Sequence, residues 1–105
     1  QATGTDLASL VTTGGGTRSP FWLQTLANVL GIPLHVPAKG EFGAAMGAAR
    51  LAMAAHSGED PAQVMTKPEM SRTVEPNSAL QDQYQAKYEQ FVALYPAVTS
   101  AMTPK

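Results

Sequence analysis

Three consecutive glycines, Gly14, Gly15 and Gly16, follow an apolar, β-branched run and are followed after two residues by Ser19-Pro20. Glycine at such a turn lets the backbone take positive φ and brings bare N–H groups within hydrogen-bond distance of a phosphate or ribose. A helix opened by Ser19 and Pro20 adds its positive dipole end. This is anion-binding chemistry, and Gly14, Gly15, Gly16 and Ser19 are its candidate residues. The same glycines would also serve a tight strand-to-helix turn with no ligand, and the residue types leave both readings open. The spacing is not that of a Walker A loop, because no Gly-Lys-Ser/Thr follows. Nor is it the dinucleotide fingerprint G-x-G-x-x-G, because Ser19 stands where the last glycine belongs.

Little else in the chain has the types and spacing for chemistry. Gly43-Ala44-Ala45-Met46-Gly47-Ala48-Ala49 reads as a helix face for close approach, to another backbone or to a ligand. Glycine inside a helix costs about 0.5–1 kcal/mol relative to alanine, so something must offset it. Glu41 and Arg50 rule out reading it as a membrane dimer motif. His35 and His56 are far apart and lack a metal-ligand pattern, Glu59-Asp60 reads as a solvated loop pair, and Ser9 and Ser19 have no Ser-His-Asp context. No cysteine is present, which excludes a disulfide framework and thiolate metal sites. The expectation is therefore no catalytic residue and no metal site.

These residues need elements to hold them. Leu7 to Thr13 reads as a short buried strand after a polar loop at 2–6, and Gly14 to Gly16 as the turn. Ser19 is the expected N-cap and Pro20 the first residue of a helix to about Leu30, stopped by Gly31. Trp22, Leu26, Val29 and Leu30 share a face at 3- and 4-residue spacing, with Trp22 expected in the core. Ile32 to Pro37 reads as a second strand, limited by its prolines to an edge or a brief pairing. A second helix is expected over about Phe42 to His56. Residues 57–76 read as irregular, with one helical turn from Asp60-Pro61 to Met65. Asn77 or Ser78 caps a last helix to about Leu94 or Tyr95, where Pro96 ends or kinks it. That helix carries Leu80, Tyr84, Tyr88, Phe91, Tyr95 and Val98 on one face. The order is α/β. Two short strands cannot cover the apolar faces of three helices, so these faces call for a further cover.

The chain has 105 residues, a net charge of −1 and seven scattered Lys and Arg. That excludes a basic nucleic-acid face and a polybasic membrane patch. No apolar run approaches the roughly 18 residues of a membrane span, and no signal peptide is visible. The opening at Gln1, without Met, reads as part of a longer protein.

Taken in order, Thr12-Thr13-Gly14-Gly15-Gly16-Thr17-Arg18-Ser19, Trp22-Leu23-Gln24, Gly31-Ile32-Pro33-Leu34 and Gly43 to Ala52 resemble the adenosine motif and following segments of the FGGY carbohydrate kinases, most closely the xylulose kinase branch. The likeness covers about Leu7 to Ala55. It implies an α/β fold, the C-terminal fragment of an actin-like ATPase (RNase H-like) domain, with 1–105 forming the C-terminal portion of the second, nucleotide-binding domain. It implies ATP with Mg²⁺ as cofactors, nucleotide contacts at Gly14, Gly15, Gly16 and Ser19, and phosphoryl transfer to a sugar, D-xylulose above all. Glycerol, gluconate or ribulose, or a non-catalytic nucleotide-binding module, are the alternatives. Related sugar kinases often carry Asn where Ser19 stands. The family's general base is an Asp upstream, which Asp6, Asp60 and Asp82 do not match, and the sugar pocket lies mostly in the N-terminal domain. A cytoplasmic protein and a possible homo-oligomer complete these expectations.

Overall fold

The computed structural model describes residues 4–103, so residues 2 and 3 of the expected loop lie outside the described residues. Three strands form one sheet in the order β1-β2-β3: β1 (Leu10–Val11), β2 (Leu34–Pro37) and β3 (Met70–Val74). β1 and β2 are parallel, with Leu10 opposite Leu34, and β3 lies antiparallel to β2, with Val74 opposite Leu34. Of the two expectations for β2, an edge position or a brief pairing, the first fails because β2 is central and the second describes its two-residue pairing with β1, and a strand falls inside the stretch expected to be irregular. Proline is tolerated here because of where it sits. The Pro33 carbonyl accepts from Leu10 N at 3.1 Å, and Pro37 lies at an irregularity of the β2–β3 ladder, where a missing N–H costs least. β1 is much shorter than the expected strand, and Leu7 is exposed.

Helix α1 (Pro20–Leu30) begins and ends where the sequence places it. Ser19 Oγ accepts from Trp22 N at 3.2 Å, and Gly31 closes the helix in the left-handed conformation at φ 68°. Its buried face differs from the expected one. Leu23 and Ala27 are buried and meet Leu34 and Val36 of the sheet, with Leu10, Leu26 and Val74 packed around them. Trp22, Val29 and Leu30 are about half exposed.

Helix α2 (Gly43–Ser57) follows a short 3₁₀ turn at Gly40–Phe42 and ends on Gly58 at φ 70°. The single turn α3 (Pro61–Val64) is capped by Asp60, whose Oδ1 accepts from Ala62 N at 3.0 Å. Asn77 caps a 3₁₀ turn that leads into α4 (Gln81–Met102). α4 passes through Pro96 instead of stopping there. Proline removes the bond to the Val92 carbonyl, but this part of α4 is solvent-exposed, so water can serve that oxygen. α4 meets α1 at its start, where the Gln81 side chain lies against Gly31. Beyond that, Tyr88, Phe91, Tyr95, Val98 and Met102 are exposed. The radius of gyration of 19.1 Å exceeds the roughly 13 Å of a compact domain of about this length. The apolar faces do outrun their cover. None of the described helices is long and apolar enough to cross a membrane.

Asn28 ties α1 to the segment before α4. It is buried, and its Oδ1 accepts from Asn77 N at 2.7 Å and from Gln24 Nε2 at 3.0 Å. Asn28→Ala removes the acceptor of both bonds, and a typical intramolecular hydrogen bond contributes about 0.5–1.5 kcal/mol net. The expected result is an unfolding free energy lowered by that amount, seen as a lower urea midpoint with an unchanged slope. A midpoint equal to wild type would show that water replaces the amide.

Candidate functional site

The β1–α1 connection makes the site. Gly14 stands at φ 96°, ψ 175°, a region that side chains avoid. Gly15–Arg18 then form one 3₁₀ turn, so the expected simple glycine turn is a glycine corner followed by a tight helical turn. Each peptide group of Gly14 is held. Its N–H donates to the Gly40 carbonyl at 2.8 Å, and its carbonyl accepts from Thr17 N at 3.1 Å and from Thr17 Oγ1 at 2.8 Å. The turn's internal bonds run from Thr17 N to Gly14 O and from Ser19 N to Gly16 O, and they leave the Gly15 and Gly16 N–H groups unused.

The three glycines differ in what they answer to. A Cβ on Gly16 would press on the Trp22 ring, 3.3 Å from Cδ1, so this glycine admits the indole edge. A Cβ on Gly15 would meet nothing within 4 Å, and Gly15 is not at positive φ. Nothing in the chain requires glycine there, which is what a ligand-facing position would show. Ser19 uses an oxygen lone pair for the cap and keeps its O–H as a donor.

Beside this turn lies an open cleft of about 600 Å³ at the carboxyl ends of β1 and β2. Thr13, Lys39, Gly40, Gly43, Gly47 and Arg50 are among its lining residues, whereas Gly14, Gly15, Gly16 and Ser19 are not. The crevice outside the carboxyl ends of parallel strands is where open α/β sheets take ligands. Arg50 Nη1 donates to the Thr66 carbonyl at 2.6 Å and ties α2 to the loop after α3. Gly43 is explained within the chain: a Cβ there would fall on the Thr13 side chain. Gly47 is not, since a Cβ there would meet nothing within 4 Å. Close approach therefore accounts for one of the two helix glycines.

Sequence reasoning missed Thr13, Thr17 and Gly40. Their hydroxyl and carbonyl contacts set the shape of the turn. The Thr12-Thr13 pair before the glycines is a visible cue, but the partner of Thr13 lies 27 residues away. Among the described residues no group of three or more His, Cys, Asp or Glu could hold a metal ion.

Comparison with known proteins assigns the class and then the family. A xyloylose kinase from Brucella ovis superposes with a TM-score of 0.82 at 44% identity, over 96% of this chain and 21% of that one. A xylulose kinase from Rhodospirillum rubrum gives a TM-score of 0.66 at 27% identity, over 87% of this chain and 19% of that one. The fold is the C-terminal part of an actin-like ATPase domain. Residues 1–56 match the FGGY family of carbohydrate kinases, C-terminal domain. The "Probable L-xylulose kinase" of Pasteurella multocida (strain Pm70) is 38% identical over 86% of this chain and 18% of its own length. The "Xylulose kinase" of Escherichia coli (strain K12) is 34% identical over 83% and 18%. The chain belongs to the FGGY family of carbohydrate kinases, and it spans about a fifth of the length of these relatives.

Proposed function

We propose that residues 1–105 are the C-terminal portion of the second, nucleotide-binding domain of an ATP-dependent sugar kinase. Gly14, Gly15, Gly16 and Ser19 contact the nucleotide. The whole enzyme transfers the γ-phosphoryl group of MgATP to a hydroxyl of a sugar, and the xylulose kinase names of its relatives favour D-xylulose. The base that accepts the hydroxyl proton lies outside this chain, as does most of the sugar pocket. This chain contributes backbone donors and a serine hydroxyl that orient the nucleotide, and such positioning is most of what phosphoryl transfer asks of a protein. Mg²⁺ arrives with the nucleotide, and the described residues offer it no carboxylate cluster.

The observation that carries this reading is Gly15. It sits in open space, with its N–H free of the turn's own bonds and no conformational demand for glycine. Gly15→Val therefore leaves the local fold intact while its branched side chain blocks approach to the backbone. In the full-length kinase, calorimetric titration should show ADP affinity reduced by at least about tenfold, which is about 1.4 kcal/mol, with sugar affinity little changed. Wild-type ADP affinity in the folded variant would remove Gly15 from the site and favour the reading of the glycines as a tight strand-to-helix turn with no ligand.

A further inference from the structure

The turn that holds Gly15 is shaped from the cleft side by one side chain. Thr13 Oγ1 donates to the Gly40 carbonyl at 2.8 Å, the same oxygen that accepts Gly14 N at 2.8 Å. Gly40 is buried, and the two donors saturate its carbonyl. The other flank of Thr13 rests on Gly43 at the start of α2, where no room remains for a Cβ. The hydroxyl is thus set by an acceptor on one side and a wall on the other. The peptide that follows carries Gly14 at φ 96°, a conformation open to glycine and essentially to glycine alone. On its far side the buried Thr17 holds the Gly14 carbonyl.

We propose that Thr13 is a positioning residue for the nucleotide turn, acting through the Gly40 carbonyl to fix the direction of the Gly15 and Gly16 N–H groups. The inference rests on the nucleotide reading above and goes further, because it assigns the shape of the turn to a side chain that precedes the glycines and is not among the proposed nucleotide contacts. It also links the turn to the first residue of α2, so that the turn and α2 keep one mutual geometry. Threonine suits the place better than serine or valine alone. Its hydroxyl reaches Gly40 and is the Thr13 atom nearest the space a Gly43 Cβ would take, with the methyl group behind it.

The test uses the full-length kinase, ADP titration and steady-state kinetics. Thr13→Val keeps the volume and removes the donor. Its ADP Kd and KM for ATP should rise about three- to tenfold, the scale of one hydrogen bond. kcat should change by less than about twofold and KM for the sugar should stay at the wild-type value. Thr13→Ser should restore most of the nucleotide affinity. Gly43→Ala, whose Cβ would fall on the Thr13 hydroxyl and push it from the Gly40 carbonyl, should reproduce the Thr13→Val profile while leaving residue 13 a threonine. Nucleotide affinity within twofold of wild type in Thr13→Val, alongside a loss in Gly15→Val, overturns the proposal and leaves the nucleotide reading standing. Unchanged affinity in both variants overturns both. A Thr13→Ser variant as weak as Thr13→Val shows that the hydroxyl is not the agent. Equal losses for ATP and sugar show general loosening, and either result defeats the proposal. If Thr13→Val does not fold, Gly43→Ala and Thr13→Ser decide the matter by the same measurements.

Discussion

The 105-residue chain by itself should phosphorylate no D-xylulose. This is the largest effect expected, because on the proposed reading the chain supplies part of a nucleotide seat and none of the proton chemistry. Its aspartates are placed for other work. Asp60 accepts from Ala62 N as the cap of α3, Asp82 lies in the first turn of α4, and Asp6 sits in the exposed segment before β1. None of the three lines the cleft; the carboxylate among its lining residues is Glu69, which follows Pro68 before β3. A general base must come within hydrogen-bond reach of the proton it takes, and on the proposed reading both that base and most of the sugar pocket lie outside this chain. Removing such a group typically lowers a rate by 10²–10⁴-fold, and the missing sugar pocket removes the remainder through lost positioning. A coupled ADP-release assay on the purified chain, free of host kinase, tests this. Turnover of D-xylulose above the no-protein blank would show that a base and a sugar site lie within these 105 residues.

The parts of the fold that the sequence displays are those encoded by single residues in single places. Ser19-Pro20 opens α1, Gly31 closes it, Asp60 caps α3 and Gly58 ends α2, each by a local hydrogen bond or a left-handed backbone. β3 was invisible for a physical reason. Ser71, Arg72 and Thr73 are exposed on both faces, and only the end residues Met70 and Val74 are half-buried, so no alternation marks it. Its existence depends on β2, through the Leu34–Val74 register and the Ser71 Oγ bond to the Val36 carbonyl at 2.9 Å. The turn at Gly14 was legible as a backbone feature. The Thr13–Gly40 contact that shapes it was not, because hydrogen bonds across 27 residues leave no local trace. α1 was legible as a helix but not in its rotation. Phe21, Trp22, Leu23, Leu26, Ala27, Val29 and Leu30 put apolar side chains almost all round it. With no clean polar face, spacing alone cannot say which stripe the sheet will take.

That rotation has an energetic signature, and it gives the second large effect. Leu23 is 1% exposed and sits among Ala27, Leu34 and Val36, which with it make up the buried cluster between α1 and the sheet. Leu23→Ala opens a cavity between α1 and the sheet, at the centre of the cluster that Leu10, Leu26 and Val74 surround. Such truncations cost about 2–5 kcal/mol. A typical domain has only about 5–15 kcal/mol in total, and a cluster of this size leaves the chain near the low end. Leu23→Ala should therefore bring the urea transition close to zero denaturant. Trp22→Ala removes a larger side chain, but 51% of Trp22 is already exposed. The indole edge does rest on Gly16, which keeps the loss from being nil. Burying a large side chain fully is worth roughly 1.5–3 kcal/mol, so the half-exposed indole should cost about 1 kcal/mol. The comparison of the two adjacent residues is the test. If Trp22→Ala destabilises as much as Leu23→Ala, the helix presents the face that the spacing of Trp22, Leu26, Val29 and Leu30 suggests, and the buried stripe described here is misassigned.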